Sequence, residues 1–346
     1  MPYRRLSVVV VALGLVAAAC SSSGHKAAAS RRAATTAAPT TTTVPPTYPL
    51  TGLPAPDPAR LGRPALVVKI ENVPEARPQA GIDAADVVYE EVVEAGLSRF
   101  IVVFQSHDAD TLGPVRSIRP SDPTIVKPLN PLFAYSGGTA KFINMLHAAG
   151  VVDLGVDSAA GGAYYRRGGR SAPHNLYTST PRLYAKAPAG VGPPPKIFDF
   201  LAGGQPFAPA GAVPAVHIDA VIGVRSTATY DFDPASGTWK RAFNGTPQTV
   251  EVGVQVAPTN VIMQFVPYVI SPGDFDVVHE PVTLAQVVGS GEAWVLSQGK
   301  LIKGRWTKPA PEVATSYTDV AGAPIAVPPG QTWIELAPVG SPTTVR

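Results

Sequence analysis

The stretch from Asp86 to Pro120 constrains the fold most, because two strand-length apolar runs are followed there by a tight turn. Residues 85–93 and Arg99–Gln105 are rich in β-branched and aromatic residues, and a short connection containing Gly joins them. Gly113-Pro114 then predicts a turn. The sequence therefore predicts two neighbouring strands with a basic segment, Arg116 to Arg119, beside a sheet edge.

The same stretch concentrates charge in a chain of which only 15% of the residues are charged. Among its charged residues are Glu90, Glu91, Glu94, Arg99, Arg116 and Arg119. Guanidinium groups bind phosphate and carboxylate oxygens through two parallel hydrogen bonds, so the three arginines are candidate anion-binding residues. The alternative is that they pair with Glu90, Glu91 or Glu94 and only stabilise the fold.

Two acidic neighbours in the first of these strands set a limit on such pairing. The pleat of a strand directs Glu90 and Glu91 to opposite faces. At most one of the two can face the arginines, so we expect one guanidinium to remain under-paired. Asp122, which follows Arg119 closely, is a further candidate acidic partner.

His174 and Asn175 follow a proline after a Gly-rich stretch and join the candidate anion-binding site. A histidine there can donate or accept a proton. A purely structural histidine is the alternative interpretation.

The N-terminus carries a targeting segment, residues 1–20. Arg4 and Arg5 precede the apolar run Leu6–Val16, which is too short to span a bilayer stably, and three alanines lead into Cys20. A signal that ends in a cysteine resembles the lipobox of bacterial lipoproteins, which implies acylation of Cys20 and attachment to the cell membrane. An ordinary secretory signal with an incidental cysteine is the alternative. Cys20 is the only cysteine, which excludes an intramolecular disulfide.

The remainder divides into a linker and two folded regions. Residues 21–47 are rich in Thr, Pro and Ala and offer little to bury. Residues 48–206 mix strands with short helices, and residues 212–340, after a Gly/Pro-rich boundary, are rich in strands.

Individual elements follow from local signals. Thr139 is a plausible N-cap for a helix at Ala140–Ala149. A hairpin is predicted at 229–243 and a strand at Val250–Val256. We expect the four tryptophans to be buried beside strands, namely Trp239, Trp294, Trp306 and Trp333.

Several function classes lack the residues that they need. From residue 48 onward 23 basic residues face 25 acidic ones, so no basic face for nucleic acid is indicated. The motifs HExxH, CxxC and GxSxG do not occur, and we expect neither a metal site nor a cofactor. Ser106-His107-Asp108 is adjacent in sequence, whereas a catalytic triad is assembled from separated positions.

Several segments together resemble the YerB-like family of bacterial lipoproteins, whose function is unknown. They are DVVYEEVVEAGLSRF, GPVRSIRP, YSGG and APHNLYTS in the first region, and TNVI, VGSGEAWV and QGKLIKGRW in the second. The resemblance implies an α+β fold with two β-layers and one α-layer, a mixed three-layer ββα sandwich with a β-rich C-terminal half. It also implies attachment to the outer face of the cell membrane.

Two functions remain open after this resemblance. The first is a binding or scaffold protein of the cell envelope, with a cell-wall or envelope protein or an anionic ligand as its partner. The second is an envelope enzyme that acts on a phosphorylated or glycan intermediate through the arginines, with Asp122 as its carboxylate. Whether the chain is an enzyme is not decided by its sequence.

Overall fold

The computed structural model describes residues 45–276 and 279–346. Cys20, the predicted signal peptide and residues 21–44 of the predicted linker lie outside this part of the chain.

Most of the regular structure is β. In the described residues the strands are β1 (Leu66–Glu71), β2 (Val87–Val92), β3 (Ser98–Phe104), β4 (Leu132–Ala134), β5 (Val152–Asp153), β6 (Tyr165–Arg166), β7 (Leu176–Tyr177), β8 (Val213–Pro214), β9 (His217–Gly223), β10 (Ser226–Asp233), β11 (Thr238–Phe243), β12 (Thr246–Pro247), β13 (Asn260–Val266), β14 (Tyr268–Phe275), β15 (Pro281–Ala285), β16 (Gly289–Ser297), β17 (Lys300–Lys308), β18 (Ser316–Asp319), β19 (Thr332–Pro338) and β20 (Thr343–Val345).

The helices are short. The α-helices of the described residues are α1 (Pro58–Leu61), α2 (Asp122–Val126), α3 (Ala140–Ala148) and α4 (Thr180–Tyr184). Single 3₁₀ turns lie at Pro74–Ala76, Ile82–Ala84, Glu94–Gly96, Lys127–Leu129 and Gly161–Ala163. None of the helices in the described residues is long and apolar enough to cross a membrane.

One large sheet runs through both halves of the sequence. Its strand order is β18-β17-β16-β13-β19-β2-β3-β1-β4-β5, and β8 pairs with β17. Strand β19, from the C-terminal half, lies parallel to both β13 and β2. Pro45–Arg346 accordingly forms one compact unit. The predicted regions 48–206 and 212–340 therefore contribute to a shared core.

The large sheet is the middle of three layers. A second sheet, β12-β11-β10-β9-β20, packs on one face, where Trp239 of β11 and Trp333 of β19 share a core with Phe100 of β3. Helices α2 and α3 pack on the other face, where Phe142 joins a core with Ile101 of β3. This is the expected α+β ββα sandwich. We call the two faces the inter-sheet face and the helical face.

Local sequence signals explain several of these elements. The Thr139 side chain accepts a hydrogen bond from the Phe142 N–H and begins α3, as predicted. All four tryptophans are buried, as expected. The predicted strand at Val250–Val256 is wrong: the chain turns there, with Gly253 at φ 83° and the Val250 N–H bonded to Val254 O. A left-handed glycine interrupts an otherwise strand-like run of valines.

Candidate functional site

Strand register places three charged residues in one row on the helical face. Arg99 of β3 lies opposite Glu71 of β1 on one side and opposite Glu91 of β2 on the other. Residues that pair across neighbouring strands project to the same face. Glu90 projects to the inter-sheet face and contacts Asn72, Ser98 and Arg241 there. The prediction that Glu90 and Glu91 face opposite ways is therefore confirmed.

The segment after Gly113-Pro114 brings the other two arginines to this row. Val115 bridges to Ile70 of β1, the Arg116 N–H donates to Lys69 O at 2.9 Å, and Arg116 O accepts from the Ser136 N–H at 2.9 Å. The segment thus extends the sheet beside β1, beyond the end of β4. We call Arg99, Arg116 and Arg119 the arginine cluster.

Two members of the arginine cluster have carboxylate partners. Arg116 Nε lies 2.6 Å from Glu71 Oε1, and an Arg119 terminal amine donates to Glu94 Oε2 at 2.6 Å. Both carboxylates are buried, whereas the Arg116 side chain is 20% exposed. Arg116 therefore lies where the cluster opens to solvent. Arg119 is buried, whereas the sequence predicted a position beside a sheet edge.

Arg99 has no carboxylate partner in the described part of the chain. Its one hydrogen bond runs from Nη1 to the backbone oxygen of Ser117, at 3.2 Å. The residue is only 8% exposed. Burial, together with Arg119 and Arg116, lowers the pKa of Arg99 to about 9, although the nearby carboxylates of Glu94 and Glu71 act to raise it. Because guanidinium groups keep their proton in proteins, this lowered pKa expresses the free-energy cost of holding the charge there.

The acidic partners on this face are unevenly distributed. Lys69, fully buried, contacts both Glu91 and Asp122, and its Nζ lies 2.6 Å from Asp122 Oδ1. Asp122 Oδ2 accepts the Arg119 N–H at 2.7 Å. Burial, opposed by Lys69, raises the pKa of Glu91 to about 7. The Lys69 ammonium thus contacts two carboxylates, whereas the Arg99 guanidinium contacts none.

His174 and Asn175 lie at the solvent side of the cluster but have different partners. His174 Nδ1 is 2.8 Å from Glu71 Oε2, so it shares a carboxylate with Arg116. Asn175 contacts no member of the arginine cluster; its Oδ1 accepts from Arg166 Nη1 at 2.7 Å. The structure thus brings His174, but not Asn175, into contact with the cluster's immediate partners.

Sequence reasoning did not single out Lys69, Glu71 or Arg241. The signal was available for the first two, because they are charges in the otherwise apolar strand ALVVKIE. Charged residues in a strand that is buried throughout must be paired. Arg241 gave no such signal, since it lies in an ordinary hairpin strand.

Other sequence motifs serve structural contacts. The Ser106 hydroxyl donates to Asp86 and lies 2.7 Å from His107 Nδ1, whereas Asp108 forms ion pairs with Arg60 and Arg63 instead of contacting His107. The tripeptide Ser106-His107-Asp108 therefore does not assemble a triad. In residues 45–276 and 279–346, no group of three or more His, Cys, Asp or Glu could hold a metal ion.

Comparison with known proteins gives a consistent family. Residues 50–190 match the "Protein of unknown function (DUF3048) N-terminal domain", and residues 218–334 match the corresponding C-terminal domain. The chain is 26% identical over 293 residues to "Putative lipoprotein YerB" of Bacillus subtilis, covering 84% of this chain and 86% of that protein.

A solved structure shows the same fold. The crystal structure of the YerB protein from Bacillus subtilis matches with a TM-score of 0.73 at 22% identity, covering 86% of this chain and 99% of that one.

Proposed function

We propose a function for this chain from the premise that it belongs to the DUF3048 family of YerB-like proteins of unknown function. In this proposal the protein is a membrane-anchored lipoprotein of the cell envelope. It binds an anionic group at its arginine cluster. Cys20 is the proposed acylated N-terminus, and the folded part is proposed to lie on the extracytoplasmic face. The likeness to a protein that carries the name lipoprotein supports the anchor.

The observation that carries the binding proposal is the state of Arg99. A guanidinium that is 8% exposed, lies beside two more arginines and has no carboxylate partner raises the free energy of the folded protein. An anion that enters beside Arg116 and His174 would supply the missing charge. Phosphate and carboxylate both fit the donor geometry of guanidinium groups.

Binding is proposed instead of catalysis because of the state of Asp122. Its side chain is fully buried, and its two oxygens contact Lys69 Nζ and the Arg119 N–H. A carboxylate in this arrangement has no oxygen directed to a substrate from solvent.

Phosphate titration of the full-length protein in a non-ionic detergent tests the binding proposal. The wild type is expected to bind inorganic phosphate in a calorimetric titration, and Arg99→Met, which keeps an unbranched apolar stem but removes the guanidinium, is expected to lose that binding. Arg305→Gln, which removes an exposed arginine from β17, is the matched control and should bind as the wild type does. Equal binding by Arg99→Met would overturn the proposal.

Mass spectrometry of the mature protein tests the anchor separately. We expect an acylated Cys20 at the mature N-terminus and partitioning of the protein with membranes. Cys20→Ala should leave the signal uncleaved at this position. A mature N-terminus elsewhere would contradict lipidation without affecting the binding proposal.

A further inference from the structure

Four polar side chains line one small cavity on the helical face, and none of them belongs to the arginine cluster. They are Tyr89 of β2, Gln264 of β13, Lys308 of β17 and Tyr317 of β18. Strand pairing explains why the first two share this face, because Tyr89 and Gln264 pair with Ile334 and Leu336, which alternate along β19. Ile125 of α2 also lines the cavity, which has a volume of about 20 Å³. The cavity therefore lies between the large sheet and the helical layer.

Lys308 brings a positive charge to this cavity. The residue is 2% exposed, and its Nζ donates to Pro311 O at 2.9 Å and to Val313 O at 2.5 Å. Within residues 45–276 and 279–346 this ammonium forms no ion pair with a carboxylate. Burial lowers the pKa of Lys308 to about 8, although nearby Glu312 acts to raise it. Because an ammonium has three N–H groups, one donor remains for an acceptor in the cavity.

Two neutral donors line the cavity beside this cation. Gln264 is 2% exposed, and its Oε1 accepts from the Tyr317 hydroxyl at 2.8 Å, whereas its amide nitrogen donates to no acceptor in the part of the chain that the structure describes. The Tyr89 hydroxyl likewise forms no hydrogen bond with the described residues, and burial raises the pKa of Tyr89, so the hydroxyl keeps its proton. Buried polar groups are normally hydrogen-bonded. A single acceptor group in the cavity can meet all three donors.

An apolar groove adjoins the cavity. Its volume is about 220 Å³, and it shares Ile197, Phe198 and Tyr317 with the cavity. Aliphatic side chains from β13 and β16, among them Ile262 and Val295, line the groove further. An apolar groove that ends at a few polar groups is the usual form of a small-molecule site.

We infer that the cavity and the groove together bind a fatty-acid-like molecule, with its carboxylate beside Lys308 and its apolar chain in the groove. One ammonium and two neutral donors suit a single negative charge. A space of about 20 Å³ has room for one or two water-sized atoms, so it suits the two oxygens of a carboxylate better than a whole phosphate group. The inference goes beyond the proposed function, because this site does not use the arginine cluster.

Equilibrium dialysis of radiolabelled octanoate against the full-length protein in lipid nanodiscs tests the inference. Nanodiscs are used because detergent molecules carry alkyl chains that would compete for the groove, and empty nanodiscs give the background. We expect saturable binding of one octanoate per protein. Unlabelled acetate, octanol and octyl phosphate should each compete about tenfold more weakly than octanoate does, since they lack the chain, the charge and the small head respectively.

Two variants test the polar end of the site. Lys308→Met removes the cation and should lower the affinity for octanoate about tenfold. Tyr89→Phe removes a hydroxyl that forms no hydrogen bond with the described residues, so it should keep the fold and lower the affinity about threefold to tenfold. Tyr89→Phe keeps the test decisive if Lys308→Met fails to fold because its two backbone contacts are lost.

The matched controls are Lys300→Met, at the start of the same strand, and Tyr165→Phe, in β6, because neither residue lines the cavity or the groove. Both should bind octanoate as the wild type does. Absence of saturable binding, or equal affinities in Tyr89→Phe and its control, would overturn the inference. Octanol or octyl phosphate that competes as well as octanoate would overturn the carboxylate head. Arg99→Met should keep octanoate binding, so this inference and the proposed function fail separately.

Discussion

Glu90 and Glu91 are neighbours in β2, yet they belong to two charge clusters with different relations to solvent. Glu90 enters an inter-sheet cluster with Arg241, Glu335 and Tyr230, in which the charged side chains are 0% exposed. Glu91 belongs to the charged network on the helical face, which consists of the arginine cluster, Lys69 and the carboxylates of Glu71, Glu91, Glu94 and Asp122. We call it the helical-face network, and it opens to solvent at Arg116. The same strands thus carry the inter-sheet cluster, which is closed to solvent, on one face. On the other face they carry the arginine cluster, which is open to solvent.

The inter-sheet cluster surrounds its cation with acceptors and aromatic rings, and only Arg241 Nη1 of this guanidinium has no hydrogen-bond partner in the described chain. Arg241 pairs with Glu90, lies 3.5 Å from Glu335, and donates to the Tyr230 hydroxyl at 3.0 Å. The rings of Trp333 and Phe243 lie 4.8 and 5.3 Å from its guanidinium carbon. Burial and the nearby Glu90 raise the pKa of Glu335 well above its usual range.

The comparison teaches which cluster holds the fold and which can take a ligand. In the inter-sheet cluster carboxylates outnumber the guanidinium, and the raised pKa of Glu335 favours its protonated form there. In the arginine cluster guanidinium groups outnumber the carboxylates that contact them, and their protons cannot leave. An external anion at the arginine cluster, as proposed above, would correct that imbalance.

The largest expected effect is the loss of stability when the inter-sheet cluster loses its cation. Arg241→Ala leaves Glu90 and Glu335 buried without their cation, so we expect a loss of about 3–5 kcal/mol in the free energy of unfolding. Urea denaturation measures it. Adding Glu90→Gln to an Arg241→Met variant should recover much of the loss, because it removes both buried charges. A loss below about 1 kcal/mol for Arg241→Ala would show that the cluster does not join the two sheets.

For the arginine cluster, we expect the free energy of unfolding to depend on bound phosphate and not on the Arg99 side chain itself. Phosphate at one hundred times its dissociation constant should raise the unfolding free energy of the wild type by about 2.7 kcal/mol. Arg99→Met should show no such increase and no loss without phosphate, because the replacement removes an uncompensated buried charge. Urea denaturation at matched ionic strength measures both. If Arg99→Met is destabilised without phosphate, and phosphate does not stabilise the wild type, Arg99 is a structural residue.

Arg116 and Arg119 are less suitable targets than Arg99. Glu71 and Glu94 are 1% and 4% exposed. Replacing both arginines by Ala would leave Glu94 without its cation and Glu71 with His174 alone. Unpaired buried carboxylates destabilise the fold on their own. A double variant would therefore mix lost stability with lost binding.

Short-range patterns predicted the orientation of this site but not its pairs. The pleat sufficed to place Glu90 and Glu91 on opposite faces, and the Gly-Pro turn sufficed to place Arg116 beside a strand. The partners come from far along the chain: Glu71 lies 45 residues before Arg116 and 103 before His174, and Arg241 lies 151 after Glu90. Such pairs depend on strand order and register, which one sequence does not specify.

The smallest expected effect is a pH dependence from Glu91. Its pKa rises from an ordinary 4.5 to about 7 in the folded protein, so the folded state binds this proton more tightly than the unfolded state. The contribution of Glu91 to stability is therefore most favourable below pH 4.5 and is lost as the pH rises to about 7. Glu91→Gln cannot ionise and leaves Lys69 paired with Asp122. Relative to the wild type, the variant should gain about 1–3 kcal/mol across this range, since one pKa unit corresponds to about 1.4 kcal/mol.

Urea denaturation at pH 5 and pH 8 measures the difference between these two proteins. Glu75→Gln, at an exposed position, is the matched control and should follow the wild type at both pH values. A constant offset between Glu91→Gln and the wild type would show that Glu91 stays ionised throughout, held by Lys69. In that case the cations Lys69, Arg99, Arg116 and Arg119 would face four ionised carboxylates, Glu71, Glu91, Glu94 and Asp122, at every pH tested, and Arg99 would still form no ion pair with any of them.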